Sequence, residues 1–139
     1  MKSLLISILF FYSLNGVADE KSAEIKSRMS DCDEVTSYSD IEVCYLKLNT
    51  QTDKYLNSEY AELINYLDKL ENKLHKQRLI EAQRAWIKFR DSDCLFYSDN
   101  QPVRMYQCLQ SKTFQRLKEL ENMNTPFAMG CNGCGVLGS

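Results

Sequence analysis

One segment of the sequence, residues 76–94, restricts the fold more than any other. It reads KQRLIEAQRAWIKFRDSDC, and at 100° per residue its apolar side chains fall on one broad arc of an α-helix, with charged side chains opposite. Gln83 and Arg90 project into that arc. A guanidinium group directed at a protein core is costly unless a facing element supplies an acid. The segment therefore predicts a helix that packs against a second helix carrying a carboxylate. The predicted apolar arc comprises Leu79, Ile80, Ala82, Trp86, Ile87 and Phe89.

The expected acid is Asp53, which lies within the apolar stripe of the preceding segment, residues 41–70. If the two helices fold back on each other near residues 72–75, Asp53 comes within about one turn of Arg90. We therefore predict a structural ion pair between Asp53 and Arg90 that sets the register of an antiparallel helical hairpin. Gln83 is expected to bond a backbone carbonyl group or Asn57 across the same seam.

The boundaries of the first long helix are predicted from capping and propensity. Ser39 and Glu42 have the spacing of a capping box, which predicts a helix from about Asp40 to about Asn72. Poor helix propensity at residues 49–50 allows an interruption there. Residues 19–38 are polar and are predicted to form a loose arm, except near Cys32.

A third helix is predicted from Val103 to about Met123, after a turn-rich break at residues 97–102. Its apolar stripe would close the seam of the hairpin. No segment shows the alternation of a β-strand, so the predicted fold class is all-α: an antiparallel helical hairpin plus a third helix, stapled by disulfides. The members of the stripe are Tyr106, Leu109, Thr113, Leu117 and Leu120.

The N-terminus has the pattern of a secretory signal peptide, predicted at residues 1–18. Lys2 precedes an apolar run of about 11 residues, too short to span a bilayer, and Gly16 and Ala18 supply small residues before a cleavage site after Ala18. A helical domain is expected over residues 19–123 and a Gly- and Cys-rich tail over residues 124–139. The chain is therefore expected to be periplasmic or secreted.

Six cysteines in a secreted chain predict disulfides, with 15 formal connectivities. We favour local pairing of Cys32 with Cys44 and of Cys94 with Cys108, each worth roughly 2–3 kcal/mol in the chain-entropy model. A crossed arrangement that ties the arm to the third helix is the alternative. Cys131 and Cys134 form a CNGC motif, which would make a third or an intermolecular disulfide, bind a soft metal, or act as a redox site.

Three motifs stand out within the predicted helices: LNxxY from Leu56, AQRAWIxFRDxxC from Ala82, and CxxxxTxxRxxxL from Cys108. Together they resemble the lysozyme-inhibitor LprI-like N-terminal domain family, a group of small secreted bacterial helical proteins. The resemblance covers roughly residues 32–120 and implies inhibition of lysozyme as one activity. The family-motif residues expected in the core are Leu56, Asn57, Tyr60, Gln83, Trp86, Phe89, Thr113 and Arg116.

No catalytic residue, resident metal or cofactor is predicted. The single histidine, His75, lies at the expected bend without a nucleophile partner, and Asp91 and Asp93 are two residues apart, so they do not face each other on a helix. Tyr55, Tyr66 and Leu95 lie off the apolar arcs. We expect them to pack against the third helix or the arm, with a protein-binding surface as the alternative.

Charge limits the classes of partner. Loss of Lys2 with the signal peptide changes the net charge from −2 to −3, and the sequence has no basic patch for nucleic acid and no polybasic anchor for membranes. We expect a non-enzymatic protein-binding domain, with a lysozyme or another basic cell-wall hydrolase as the candidate partner. The alternatives are an envelope interaction, immunity or scaffold module, and a metal- or thiol-binding protein that acts through Cys131 and Cys134.

Overall fold

The computed structural model describes residues 21–124, which form four α-helices and no strand. The helices are α1 (Lys21–Asp33), α2 (Tyr38–Lys69), α3 (Lys73–Leu95) and α4 (Pro102–Asn124). The predicted all-α, disulfide-stapled fold is confirmed. The predicted signal peptide and the predicted tail beyond Asn124 lie outside the described residues.

The first helix, α1, corrects the prediction of a loose arm. Its apolar side chains are Ile25, Met29 and Cys32, at spacings of four and three residues, and Ile25 is fully buried against α2 and α4. A helix of 13 residues is marginal on its own in water. Packing of this narrow stripe, together with a disulfide from Cys32, stabilises it.

The second helix is longer at its start and shorter at its end than predicted, and it is continuous through residues 49–50. Ser37 is its N-cap residue, without a side-chain capping bond, so the predicted capping box from Ser39 is wrong: Ser39 lies inside the first turn. At the other end the Asn72 N–H donates to the Leu67 carbonyl and Glu71 adopts a φ of 53°. This pattern is a Schellman motif, which ends the helix without glycine.

The topology follows from contacts that advance along pairs of helices. Tyr45 near the start of α2 bonds Gln107 near the start of α4, and Glu59 further along α2 bonds Asn124 at the end of α4. The two helices α2 and α4 therefore run parallel. The helix α3 is antiparallel to both and connects them, and α1 is antiparallel to α2. Within the described chain α1 and α3 do not touch each other.

The core lies chiefly between α2 and α4, which share the largest interface. The sequence predicts α2 and α3 as the main apolar seam. Instead, α3 packs on the α2–α4 pair through a narrow strip. Each fully buried leucine contributes roughly 1.5–3 kcal/mol to folding. The fully buried leucines of the two central helices are Leu48, Leu56, Leu63, Leu67, Leu117 and Leu120.

Candidate functional site

Arg90 lies where three helices meet. Its Nη1 atom donates to Asp53 Oδ1 of α2 at 2.8 Å and to Thr113 Oγ1 of α4 at 3.2 Å, and its Nε atom donates to Asp91 at 2.9 Å. The guanidinium carbon is 5.1 Å from the ring centroid of Trp86. The structure therefore brings Arg90 and Asp53 together, and it adds a hydroxyl group and an aromatic face that the sequence did not indicate.

A second arginine extends this network on the other side of Trp86. Arg116 of α4 lies 6.0 Å from the Trp86 ring centroid, and its Nε atom donates to the Gln83 side-chain oxygen at 3.0 Å. Its Nη1 atom donates to Glu119 at 2.8 Å. The side-chain oxygen of the buried Gln83 thus accepts from a guanidinium group of α4, a partner that the sequence did not indicate.

A buried polar pair in the α2–α4 interface was not predicted. Thr52 and Gln110 have no exposed surface, and their side chains are hydrogen-bonded at 3.0 to 3.1 Å, while the Thr52 hydroxyl also donates to the Leu48 carbonyl. Both residues lie on the apolar stripes of their helices, and this position in the sequence pattern indicates that their side chains are buried. Because both groups are satisfied, the pair can favour one register of α2 against α4.

The start of α1 and the end of α4 are held beside the middle of α2. Lys21 Nζ lies 2.6 Å from Glu59 Oε1, and the Asn124 amide donates to Glu59 Oε2 at 2.7 Å. Partial burial opposes the charge on Lys21, but the hydrogen bonds and charges of Glu59 and Glu62 together outweigh it and raise the pKa of Lys21. Glu59 therefore joins three helices through one carboxylate.

The two predicted local disulfides are present, Cys32–Cys44 and Cys94–Cys108, with Cα–Cα distances of 5.7 and 5.5 Å. The crossed arrangement is therefore excluded. Tyr45, next to Cys44, bonds both Asp33 and Gln107, and Gln107 precedes Cys108. Burial and the Asp33 carboxylate raise the pKa of Tyr45 to about 12.

Both disulfides lie at one end of the molecule, because the parallel helices α2 and α4 begin at the same end. We call this the disulfide end and define it as residues 31–46 and 91–108. These two segments contain eight carboxylates and one basic residue, Arg104. Residues 66–78, at the α2–α3 turn, carry four basic residues and two acidic ones. The described chain is thus strongly polarised although its net charge is small.

Exposed apolar side chains are also concentrated at the disulfide end. Phe96 is 85% exposed, and Leu95 and Tyr38 are 59% and 58% exposed. The Phe96 ring packs edge-on against Tyr97 at a centroid distance of 5.2 Å. The expectation that Leu95 packs against the third helix or the N-terminal arm is therefore wrong, and Leu95 is part of the surface.

The family model described as lysozyme inhibitor LprI matches residues 21–120. The chain belongs to this family. The match confirms the resemblance carried by the three motifs and extends it to include α1. Comparison with curated proteins and with solved structures finds no match.

The motif residues of this LprI-family chain fall into two groups. Leu56, Gln83 and Thr113 are buried, and Tyr60, Trp86 and Arg116 are partly buried around them. Asn57 is exposed, and Phe89 is 57% exposed with the Lys112 ammonium group 4.5 Å from its ring centroid. Our expectation that these two lie in the core is wrong. Asn57 is on the exposed face of α2, and Phe89 is exposed because α3 contacts its neighbours through a strip narrower than the arc of its apolar residues.

Three other side chains that the sequence singled out in this LprI-family chain have partners within the protein. The Tyr55 hydroxyl donates to Glu24 of α1 at 2.6 Å, as expected for packing on the N-terminal segment, and His75 bonds the N-cap residue Asn72. Asp93 pairs with Lys112 at 3.0 Å. Cys131 and Cys134 lie outside the described residues.

Residues 21–124 contain neither a metal-binding group nor a membrane-spanning helix. No group of three or more histidine, cysteine, aspartate or glutamate side chains is placed to hold a metal ion. None of the four helices is both long and apolar enough to cross a membrane.

Proposed function

We propose that this chain is a non-enzymatic binding protein that inhibits a lysozyme or a related cell-wall hydrolase by occluding the substrate cleft of the enzyme. The observation that carries the proposal is the family match, which spans α1 to α3 and most of α4. The signal-peptide pattern supports a periplasmic or secreted location, where such hydrolases act. A lysozyme that is basic would also suit the acidic character of the chain.

The arrangement of the motif residues supports a binding role over a catalytic one. Arg90, Arg116 and Gln83 bond other side chains across helix interfaces, and Asp53 and Asp91 are both bonded to Arg90. Groups that bond internal partners in this way maintain the scaffold, which favours a structural role for them over the activation of a substrate. Recognition is then left to the outer surface of the bundle.

The test is a lysis assay with the purified chain without its predicted signal peptide, against a panel of lysozymes of different types. We expect inhibition of at least one lysozyme at micromolar concentration or below. The inhibition should titrate to a fixed stoichiometry, reverse on dilution, and leave the masses of both proteins unchanged. A protein without affinity for lysozyme, at the same concentration, serves as the control.

Two results would reject the proposal. Absence of inhibition across the panel at micromolar concentration would favour an envelope interaction, immunity or scaffold role instead. Cleavage or modification of the lysozyme would indicate an enzyme.

A further inference from the structure

We propose that the disulfide end is the surface that docks on the protein partner, and that the partner presents a basic surface with a recess for an apolar side chain. This inference rests on the proposed function and assigns it a place on the molecule. Three independent features of the described residues meet at this end: exposed apolar side chains, covalent bracing, and a strong excess of negative charge.

The first feature is an apolar group formed by Leu95 and Phe96 of the disulfide end together with Phe89, which lies two residues before the second of its segments. Phe96 is the C-cap residue of α3 and keeps a helical backbone conformation, so it lies on the same side as Phe89, seven residues earlier, and Leu95 directly precedes Phe96. Single exposed apolar residues are common on protein surfaces. Here more than half of each of three neighbouring large side chains is exposed. Exposed aromatic side chains that fill a recess in a partner are typical anchors of protein interfaces.

The second feature is the way this end is held in place. The Cys94–Cys108 disulfide closes the α3–α4 connection that carries Phe96, and the Cys32–Cys44 disulfide closes the α1–α2 connection. The bonds of Tyr45 to Asp33 and Gln107 join the two disulfide regions. A braced surface loses little conformational entropy on binding, which favours affinity.

The third feature, charge, identifies the occupant. Six carboxylates of the disulfide end form no ion pair within residues 21–124, and all but Glu42 are well exposed. Such a surface attracts a basic protein and accelerates its association. It repels nucleic acid, anionic lipid and a second copy of itself across a two-fold axis. The six are Asp31, Asp33, Glu34, Asp40, Glu42 and Asp99.

The apolar anchor is tested by a matched pair of substitutions, Phe96→Ala and Leu74→Ala. Leu74 is 58% exposed and lies in the first turn of α3, at the opposite end of the molecule. We expect Phe96→Ala to raise the Kd for a basic lysozyme that the unmodified chain inhibits by about tenfold or more. Leu74→Ala should leave the Kd within about twofold, since it lies outside the proposed interface. Thermal melts of both variants serve to check that each one folds.

The charge is tested by the double reversal Glu34→Lys with Asp99→Lys, against Glu81→Lys as control. Glu34 and Asp99 lie in the two connections of the disulfide end, whereas Glu81 is exposed on the outer face of α3. We expect the double reversal to lower the association rate constant by about tenfold at low salt and to reduce its dependence on ionic strength. The control should retain the rate and most of the salt dependence.

The outcomes separate the two proposals. If the unmodified chain inhibits a lysozyme but Phe96→Ala and the double reversal bind it unchanged, the docking surface is elsewhere and the proposed function stands. The same conclusion follows if Leu74→Ala and Glu81→Lys weaken binding as much as their counterparts. If the unmodified chain binds and inhibits no lysozyme, the proposed function and the docking surface both fall.

Discussion

Replacement of Arg90 by methionine tests the account of the three-helix junction. Methionine retains the length of the aliphatic stem and removes the charge, so the variant loses the bonds to Asp53, Thr113 and Asp91 and the contact with Trp86. A hydrogen bond between charged groups is worth about 1.5–3 kcal/mol, and a cation–π contact adds about 0.5–1 kcal/mol.

The loss of stability is smaller than the sum of these contributions, because some of the partners of Arg90 are exposed to water. The Asp53 side chain is 38% exposed, so water can solvate its carboxylate after Arg90 is removed, whereas the Arg90 side chain is 14% exposed. Asp91 is also accessible. We therefore expect Arg90→Met to lower the free energy of unfolding by roughly 2–3 kcal/mol, less than the 3–5 kcal/mol typical of an uncompensated buried charge.

Urea unfolding followed by far-UV circular dichroism measures the effect, and a loss of this size shifts the midpoint by about 1 M or more. Arg84→Met is the matched control on the exposed face of the same helix, with an expected change within about 0.5 kcal/mol. Combining Arg90→Met with Asp53→Asn in a double-mutant cycle should give a coupling energy of about 1 kcal/mol. Equal effects of the Arg90 and Arg84 substitutions, or purely additive losses in the cycle, would refute the reasoning.

Three further predictions follow from local geometry. Because the pKa of Tyr45 is raised to about 12 in the folded chain, its contribution to stability is complete below pH 10 and is lost as the pH rises from 10 to 12. Tyr45→Phe should therefore reduce the fall of the unfolding free energy with pH over this range, as measured by urea titrations. An unchanged slope of unfolding free energy against pH would contradict the raised pKa. Replacing Cys94 and Cys108 together by alanine should lower the unfolding free energy by about 2–3 kcal/mol. If the unfolding free energy does not fall, the two cysteines are reduced in the native protein. Glu71→Gly should stabilise the chain by up to about 1 kcal/mol, measured by thermal melts, because Glu71 has a positive φ; destabilisation would argue against the left-handed turn.

The fold class and the two disulfides could be predicted because they depend on local patterns. Apolar spacing identified α2, α3 and α4 as helices, and cysteines 12 and 14 residues apart needed only short connections to meet. The acid opposite Arg90 was identified from the cost of an unpaired guanidinium group. Each of these inferences uses residues that are close in sequence or related by one antiparallel turn.

The helix α1 and the exposure of Phe89 could not be predicted in the same way. Ile25, Met29 and Cys32 are a short apolar stripe in a polar segment, and their helix is stable because α2 and α4 cover it. Phe89 lies within the apolar arc of α3, yet α3 touches its neighbours through a narrower strip. Whether an apolar side chain at the edge of an arc is covered depends on the position of the neighbouring helix.

From the sequence alone it follows that this chain is helical and that Arg90 needs an acid on the preceding helix, and the sequence favours local pairing of Cys32 with Cys44 and of Cys94 with Cys108. The packing of the helices in three dimensions makes α2 and α4 the central pair and brings Phe96 to the same end as the carboxylates that form no ion pair within residues 21–124. The physical reason is that periodicity describes one helix at a time. Which helices meet, and what gathers on the surface they leave, depends on packing among segments far apart in the chain.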